Sequence, residues 1–298
     1  MRKFFQIGQY AFDVVYPPQL VFPPNFLLFE TEKQESRCTY EITFADVLSA
    51  PEGAEIARRE DLLVYRTEGG EGRLIGVRGT EGYYARYEEV SPNRVCIVFR
   101  RDAAEDLVYD TVFTSLFALE RHVLPLDELV LHCAYLRYEG EAILFSAPSE
   151  TGKSTQAALW ERYRKGSRTI NGDKSLLYQE DGRWTAHGWP VCGTSEVCHN
   201  LSTPIHAIVM LSQDKTNHVE RLSPMRAFSL LYPQITANRW NKADLQKTMD
   251  LIEGLVAQVP VWHLGCTISE EAVDVLYQAL YPAPPLPTQD RQGEQDAH

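Results

Sequence analysis

The stretch "SAPSETGKST", residues 146–155, carries residue types that hold phosphate. A phosphate loop asks for Gly, four residues, Gly, Lys, then Ser or Thr. Gly152, Lys153 and Ser154 meet the last three demands, and Ala147 stands where the first Gly belongs. Backbone N–H groups of Ser149, Glu150, Thr151 and Gly152, together with the positive end of a following helix, would welcome an anion. Lys153 would bring a full charge to the β and γ phosphates, Ser154 would ligate Mg²⁺, and Thr155 would add a hydroxyl near the α-phosphate. Ala is the smallest residue with a Cβ, and Pro148 biases Ala147 towards extended geometry. The loop is therefore expected to bind ATP with Mg²⁺, provided φ at residue 147 stays negative. The competing reading is an ordinary strand–turn–helix whose lysine is merely solvated.

Phosphoryl transfer also needs metal ligation and a group that orients or deprotonates the acceptor. Asp173, in "TINGDKSLL", follows Lys153 by 20 residues. One helix out and one strand back brings it beside the loop, as a Mg²⁺ ligand and catalytic carboxylate. Asn-Gly-Asp is equally good turn sequence, which is its plainer reading. His132 lies on the strand before the loop strand. Paired antiparallel with "EAILFS", it reaches the mouth of the site; otherwise it is a core-edge histidine satisfied by a backbone partner. Glu196 is a weaker second carboxylate. Cys192, Cys198 and His199 cluster in sequence, but no paired C-x-x-C or H-x-x-H accompanies them, so a zinc site is not expected.

The flanking patterns supply the context. "LVLHCAYLRY" and "EAILFSA" read as strands joined by a Glu-Gly turn. "KSTQAALWERYR" reads as a helix that Gly166 can stop. Upstream, residues 1 to about 103 read as antiparallel sheet: "RCTYEITFADVL", "DLLVYRTE", "GRLIGVRG", "GYYARYEEV" and "RVCIVFRR" are short aromatic and β-branched runs between turns. Residues 104–124 change period. Val108, Val112, Leu116, Leu119 and Val123 predict one buried helical stripe, ended by Pro125. Downstream, "PIHAIVMLSQ" and "VWHLGCTI" predict strands. "SPMRAFSLLYPQI", "NKADLQKTMDLIEGLVAQV" and "SEEAVDVLYQAL" predict capped helices. The Pro-rich end reads as a disordered tail. The expectation is an α/β fold of α+β character: a β-rich domain over 1–125 ending in a linking helix, a phosphate-loop domain with a mixed sheet over 126–282, and a tail over 283–298.

The 298 residues carry a formal net charge of −12, which argues against nucleic acid or an anionic membrane as partner. No apolar run is long enough to span a bilayer, and the N-terminus does not read as a signal peptide. Six scattered cysteines suit free thiols in a reducing cytoplasm.

"LHCAYLRYEGEAILFSAPSETGKST" followed by "TINGDKSLL" resembles the catalytic domain of HPr kinase/phosphorylase and the shorter bacterial proteins related to it, also called phosphoenolpyruvate carboxykinase-like. The resemblance covers roughly residues 126–280. It implies an active-site role for His132, phosphate and Mg²⁺ binding by Lys153 and Ser154, and membership of an acidic motif for Asp173. It implies a cytoplasmic serine kinase whose acceptor hydroxyl sits on a peptide, a protein or a small molecule, and it allows an oligomer. The family has two adjacent acidic residues where this chain has Gly172 then Asp173, so a nucleotide-binding regulatory or scaffold protein without transfer is the alternative. A true phosphoenolpyruvate carboxykinase is less favoured.

Overall fold

The computed structural model describes residues 1–282; the stretch 283–298, expected as a tail, lies outside the described residues. The chain forms a mixed α/β fold with two large mixed sheets. The first is built from β1 (Arg2–Ile7), β2 (Tyr10–Val15), β3 (Glu30–Thr31), β4 (Cys38–Ala45), β5 (Ala54–Arg59), β6 (Leu62–Thr67), β7 (Gly70–Ile75), β8 (Ala85–Ser91) and β9 (Arg94–Arg100), in the order β3-β1-β2-β4-β9-β8-β7-β6-β5. It is not purely antiparallel as the sequence suggested. β2 pairs with β4, and β4 with β9, in parallel. The chain leaves β2, passes through helix α1 (Pro24–Leu27) and β3, and so returns to lay β4 alongside β2 in the same direction. A connection of that length permits what a tight hairpin forbids.

The segment expected as one helix is three pieces: a 3₁₀ stretch Arg101–Val108, then α2 (Asp110–Ser115) and α3 (Leu119–Val123). Tyr109 is extended and Ala118 has φ 47°, so the helical ladder breaks twice. The stripe shifts as a result. Val108 is exposed, while Leu107, Phe113 and Phe117 are buried with Leu116, Leu119 and Val123. The buried aromatic residues of this segment pack on α1. Phe26 stacks on Phe117 and meets Phe113 edge-on, with ring centroids 5.0 and 4.9 Å apart, and each such pair is worth about 0.5–1.5 kcal/mol beyond area burial.

The second sheet contains β10 (Leu129–Tyr138), β11 (Glu141–Ser146), β12 (Arg168–Asn171), β13 (Lys174–Glu180), β14 (Arg183–His187), β15 (Ser202–Gln213), β16 (His218–Arg221), β17 (Ile235–Thr236) and β18 (Val261–Cys266). β10 and β11 form the expected hairpin, turned by Glu139 and Gly140, both at positive φ. Long β10 changes partners along its length: His132 and the residues before it pair with β13, and residues from Tyr135 onward pair with β12. β11, β15 and β18 run parallel, side by side. Helices α4 (Lys153–Tyr163) and α7 (Glu270–Leu280) cover one face through Trp160, Val273 and Leu276; α5 (Pro224–Leu231) and α6 (Lys242–Gln258) pack on the other through Leu231, Ile252 and Leu255. Asn241 and Ser269 cap α6 and α7 by accepting backbone N–H groups, but the expected cap Ser223 makes no such bond. The core of the first sheet continues onto Val130, Leu176, Trp189 and Val191 of the second part, so the two sheets face one another across shared apolar packing. Among the described residues no helix is long and apolar enough to cross a membrane.

Candidate functional site

The loop leaves the C-terminal end of β11 and enters α4 at Lys153. Neighbouring β15 is in register with it, Ser146 against Met210, and runs on to Gln213, whose side-chain amide donates to the Glu150 carbonyl at 3.4 Å. The site therefore lies where ligands gather in sheets with parallel strands, beyond the carboxyl ends. Ala147 is fully buried and keeps φ negative, so a Cβ costs nothing at the first-glycine position. Gly152 is different: it adopts φ 115°, a conformation that L side chains rarely reach. Among the described residues, the backbone N–H groups of residues 149 to 155 have no hydrogen-bond acceptor. Ser149 and Glu150 are exposed and Thr151, Gly152 and Thr155 partly so. These donors at a helix start make a ready anion site. The Lys153 ammonium is nearly buried and donates to the Ala147 and Pro148 carbonyls at 3.2 and 3.3 Å. Burial lowers its pKa, against the attraction of Asp173.

β12 returns beside the loop, as the spacing suggested. The Ser154 hydroxyl donates to the Gly172 carbonyl at 3.3 Å, which puts Asp173 one residue from it. The hydroxyl and the carboxylate form a small set of oxygen donors, the chemistry Mg²⁺ takes when phosphates and water fill its remaining positions. His132 is brought in by β10: its backbone carbonyl accepts from Ser146 Oγ, and the backbone N–H of Cys133 donates to the Asp173 carbonyl. His132 Nε2 lies 3.6 Å from Asp173 Oδ1, beyond hydrogen-bond reach. On the other side of the ring, Nδ1 lies 3.3 Å from Gln234 Oε1. With that oxygen accepting, the proton sits on Nδ1 and Nε2 faces Asp173 as a free base. Burial, then the charge of Lys153, lowers the His132 pKa against the attraction of Asp173, which favours the neutral ring.

Three residues were not legible in the sequence. Asn171 is fully buried; its Oδ1 accepts the backbone N–H groups of Asp173 and Lys174, and its amide donates to the carbonyls of Trp189 and Val191. The turn reading of Asn-Gly-Asp was thus correct about the backbone and silent about this clamp. Gln234 reaches the site from a distant turn with no local pattern to announce it. Ser195 explains Gly172. A Cβ built at residue 172 would lie 1.8 Å from Ser195 Oγ and 2.3 Å from its Cβ, so the place that would hold a first acidic side chain is filled by the 192–195 loop. That loop also brings Gly193 against Asp173, where an added Cβ would be 3.3 Å from Oδ1. Glu196, the weaker second carboxylate, lines another cavity with Asn25, Asp110 and Cys192. No group of three or more His, Cys, Asp or Glu side chains fit to hold a metal occurs among the described residues.

A family model described as SynChlorMet cassette protein ScmC matches residues 95–281. The chain belongs to the ScmC family. The match begins in β9 and takes in the loop, His132 and Asp173, leaving β1 to β8 outside it. ScmC is a different family from the HPr kinases that the loop resembles. Among solved structures, the chain is similar to the Hpr(Ser) kinase/phosphatase from Coxiella burnetii at 14% identity and a TM-score of 0.29, over 51% of this chain and 87% of that one. No curated protein matches.

Proposed function

We propose that this ScmC protein is an ATP- and Mg²⁺-dependent kinase that transfers the γ-phosphate to a hydroxyl, on the serine-kinase pattern, with a serine of a peptide or protein as the favoured acceptor and the cytoplasm as its place of action. One observation carries the reading: Ser154 Oγ touches the carbonyl of Gly172, so a strand–loop–helix with unpaired amides and a buried lysine has a carboxylate delivered to its mouth. Lys153 would exchange its two carbonyl partners for the β and γ phosphates. Mg²⁺, held by Ser154 and Asp173, would neutralise charge shared between those phosphates. Asp173 would orient the acceptor hydroxyl, and Asp173 or neutral His132 Nε2 would take its proton. The acceptor oxygen then bonds to the γ-phosphorus as the bond to ADP breaks, and ADP leaves with the electron pair. The division at residue 125 belongs to the same proposal, with the N-terminal part recognising the acceptor.

Calorimetric titration of ATP with Mg²⁺ tests the first half. Wild type is expected to bind, and Lys153→Ala to lose about ten-fold or more in affinity while keeping its circular dichroism. Absence of binding in both proteins would make the loop a structural turn. The packing of Ser195 against Gly172 favours a second reading, a nucleotide-binding regulatory or scaffold protein without transfer, since it removes a carboxylate from the site. Tight Mg·ATP binding with no phosphate transfer to any hydroxyl acceptor would decide for it.

A further inference from the structure

A cavity of about 420 Å³ opens between the two sheets, lined from the first sheet and its linking helices by Arg59, Asp61, Arg73, Arg78, Thr114 and Glu120, and from the second by Lys174, Val130 and Trp189. That volume is in the range of small-molecule sites. In a chain of net charge −12, its walls hold four cations and two carboxylates. Arg73 is committed to Glu71 and Glu120. Asp61 lies 3.6 Å from Arg59 and 3.5 Å from Arg78, sharing one carboxylate between two guanidinium groups. Lys174 has no ion-pair or hydrogen-bond partner for its ammonium among the described residues. Thr114 is buried, and its Oγ1 has no hydrogen-bond partner among them. A polar wall with surplus positive charge and an orphaned hydroxyl suits an anionic ligand.

The cavity adjoins the transfer site through Lys174. That residue follows Asp173 and pairs directly with His132 across β10 and β13. Residues so paired share one face of the sheet, with Cβ atoms about 4.5–5.5 Å apart. Val130, two residues before His132 and on the same face, also lines the cavity. A molecule in this cavity touches Lys174, the residue next to Asp173 and opposite His132.

We propose that this cavity is the acceptor subsite, and that it selects a hydroxyl lying a few bonds from a carboxylate: Lys174 and Arg78 hold the carboxylate while the hydroxyl meets Asp173. The proposal rests on the phosphotransfer reading and names its substrate class. Such an acceptor is a free hydroxy acid or a serine beside an acidic residue.

The test is ligand-observed NMR on the full chain without nucleotide, comparing glycerate with glycerol, and the blocked dipeptide Ac-Asp-Ser-NH₂ with Ac-Asn-Ser-NH₂. At least one anionic probe is expected to bind about ten-fold tighter than its neutral counterpart, and which one does so tells a free hydroxy acid from a peptide. Lys174→Met and Arg78→Gln should abolish that preference while leaving Mg·ATP affinity within about two-fold. Arg78 is largely exposed, so its variant keeps the fold. Equal binding of anionic and neutral probes, alongside intact Mg·ATP binding, would overturn the subsite alone. A ten-fold loss of Mg·ATP affinity in Lys174→Met would assign that lysine to the nucleotide and overturn it too. Failure of wild type to bind Mg·ATP would remove the phosphotransfer reading and the acceptor role together.

Discussion

At the scale of single residues, the site turns on a glycine whose place has a steric cause. The 192–195 loop leaves no room for a side chain at Gly172. Its φ is not positive, so backbone strain is not the reason; close approach is. Gly172→Ala is therefore expected to lose about 1–3 kcal/mol of stability in urea titration, the usual cost of forcing extra volume into a packed site. Ser195→Gly removes the atoms the new methyl would strike, so in the double variant most of that loss should return, a coupling that two independent sites would not show. Additive losses would mean that something other than Ser195 excludes the side chain. The sequence singled out Asp173 and Ser154 as candidates but not the residues packed around them. Both carry functional groups at a recognisable spacing, whereas Ser195 and Gln234 arrive through tertiary packing that no local pattern encodes.

At the scale of elements, the strand–loop–helix was legible because each signal agreed with the next: the Glu139-Gly140 turn, the apolar run of β11, Gly152, and the strong helix formers of α4. Residues 104–124 were not, because an apolar stripe at helical spacing says nothing of the extended backbone at Tyr109 or the positive φ at Ala118 that cut the helix into pieces. The β1–β2 hairpin went unread as well, and its docking depends on one buried carboxyl. Glu128, just before β10, is fully buried against Gly8 and accepts the Gln9 backbone N–H at 2.8 Å, while its second oxygen has no hydrogen-bond partner among the described residues. Burial pushes its pKa up to about 8. Between the ordinary glutamate value and that one, the folded chain holds a proton the unfolded chain has released. Stability contributed here is present at low pH and is lost as pH rises towards 8, with a slope of up to about 1.4 kcal/mol per pH unit. Glu128→Gln keeps an acceptor for Gln9 and has no charge to bury. Urea titrations at pH 5 and pH 8 should therefore show the variant gaining about 2–4 kcal/mol over wild type at the higher pH and little at the lower. Parallel pH profiles would mean that Glu128 is ionised and solvated.

At the scale of the whole molecule, the two sheets are held in register by a buried ionic cluster as well as by apolar packing. Arg73 of β7, about 5% exposed, bonds Glu71 at 2.6 Å, Glu120 of α3 at 2.7 Å and the side chain of Asn238 at 3.1 Å. Trp240 completes it, donating to Glu71 at 2.9 Å while its ring lies under the Arg73 guanidinium. Asn238 and Trp240 precede α6, so the cluster ties the first sheet to the body that carries the loop. It also forms part of the wall of the acceptor cavity, which makes the spacing between the sheets a property of the substrate site. Removing one partner from such a cluster costs more than the cluster contributes, because desolvated charges are left behind. Arg73→Met is expected to lose about 3–5 kcal/mol in equilibrium unfolding, and the triple variant with Glu71→Gln and Glu120→Gln to recover a large part of it. If Arg73 only filled volume, the near-isosteric methionine would cost less than about 1.5 kcal/mol and the added amides would bring no recovery. The recovered triple variant, with its sheets still docked and Lys174 and Arg78 still charged, should keep the preference for anionic acceptors, because the cluster sets the spacing of the wall and not the charge that selects.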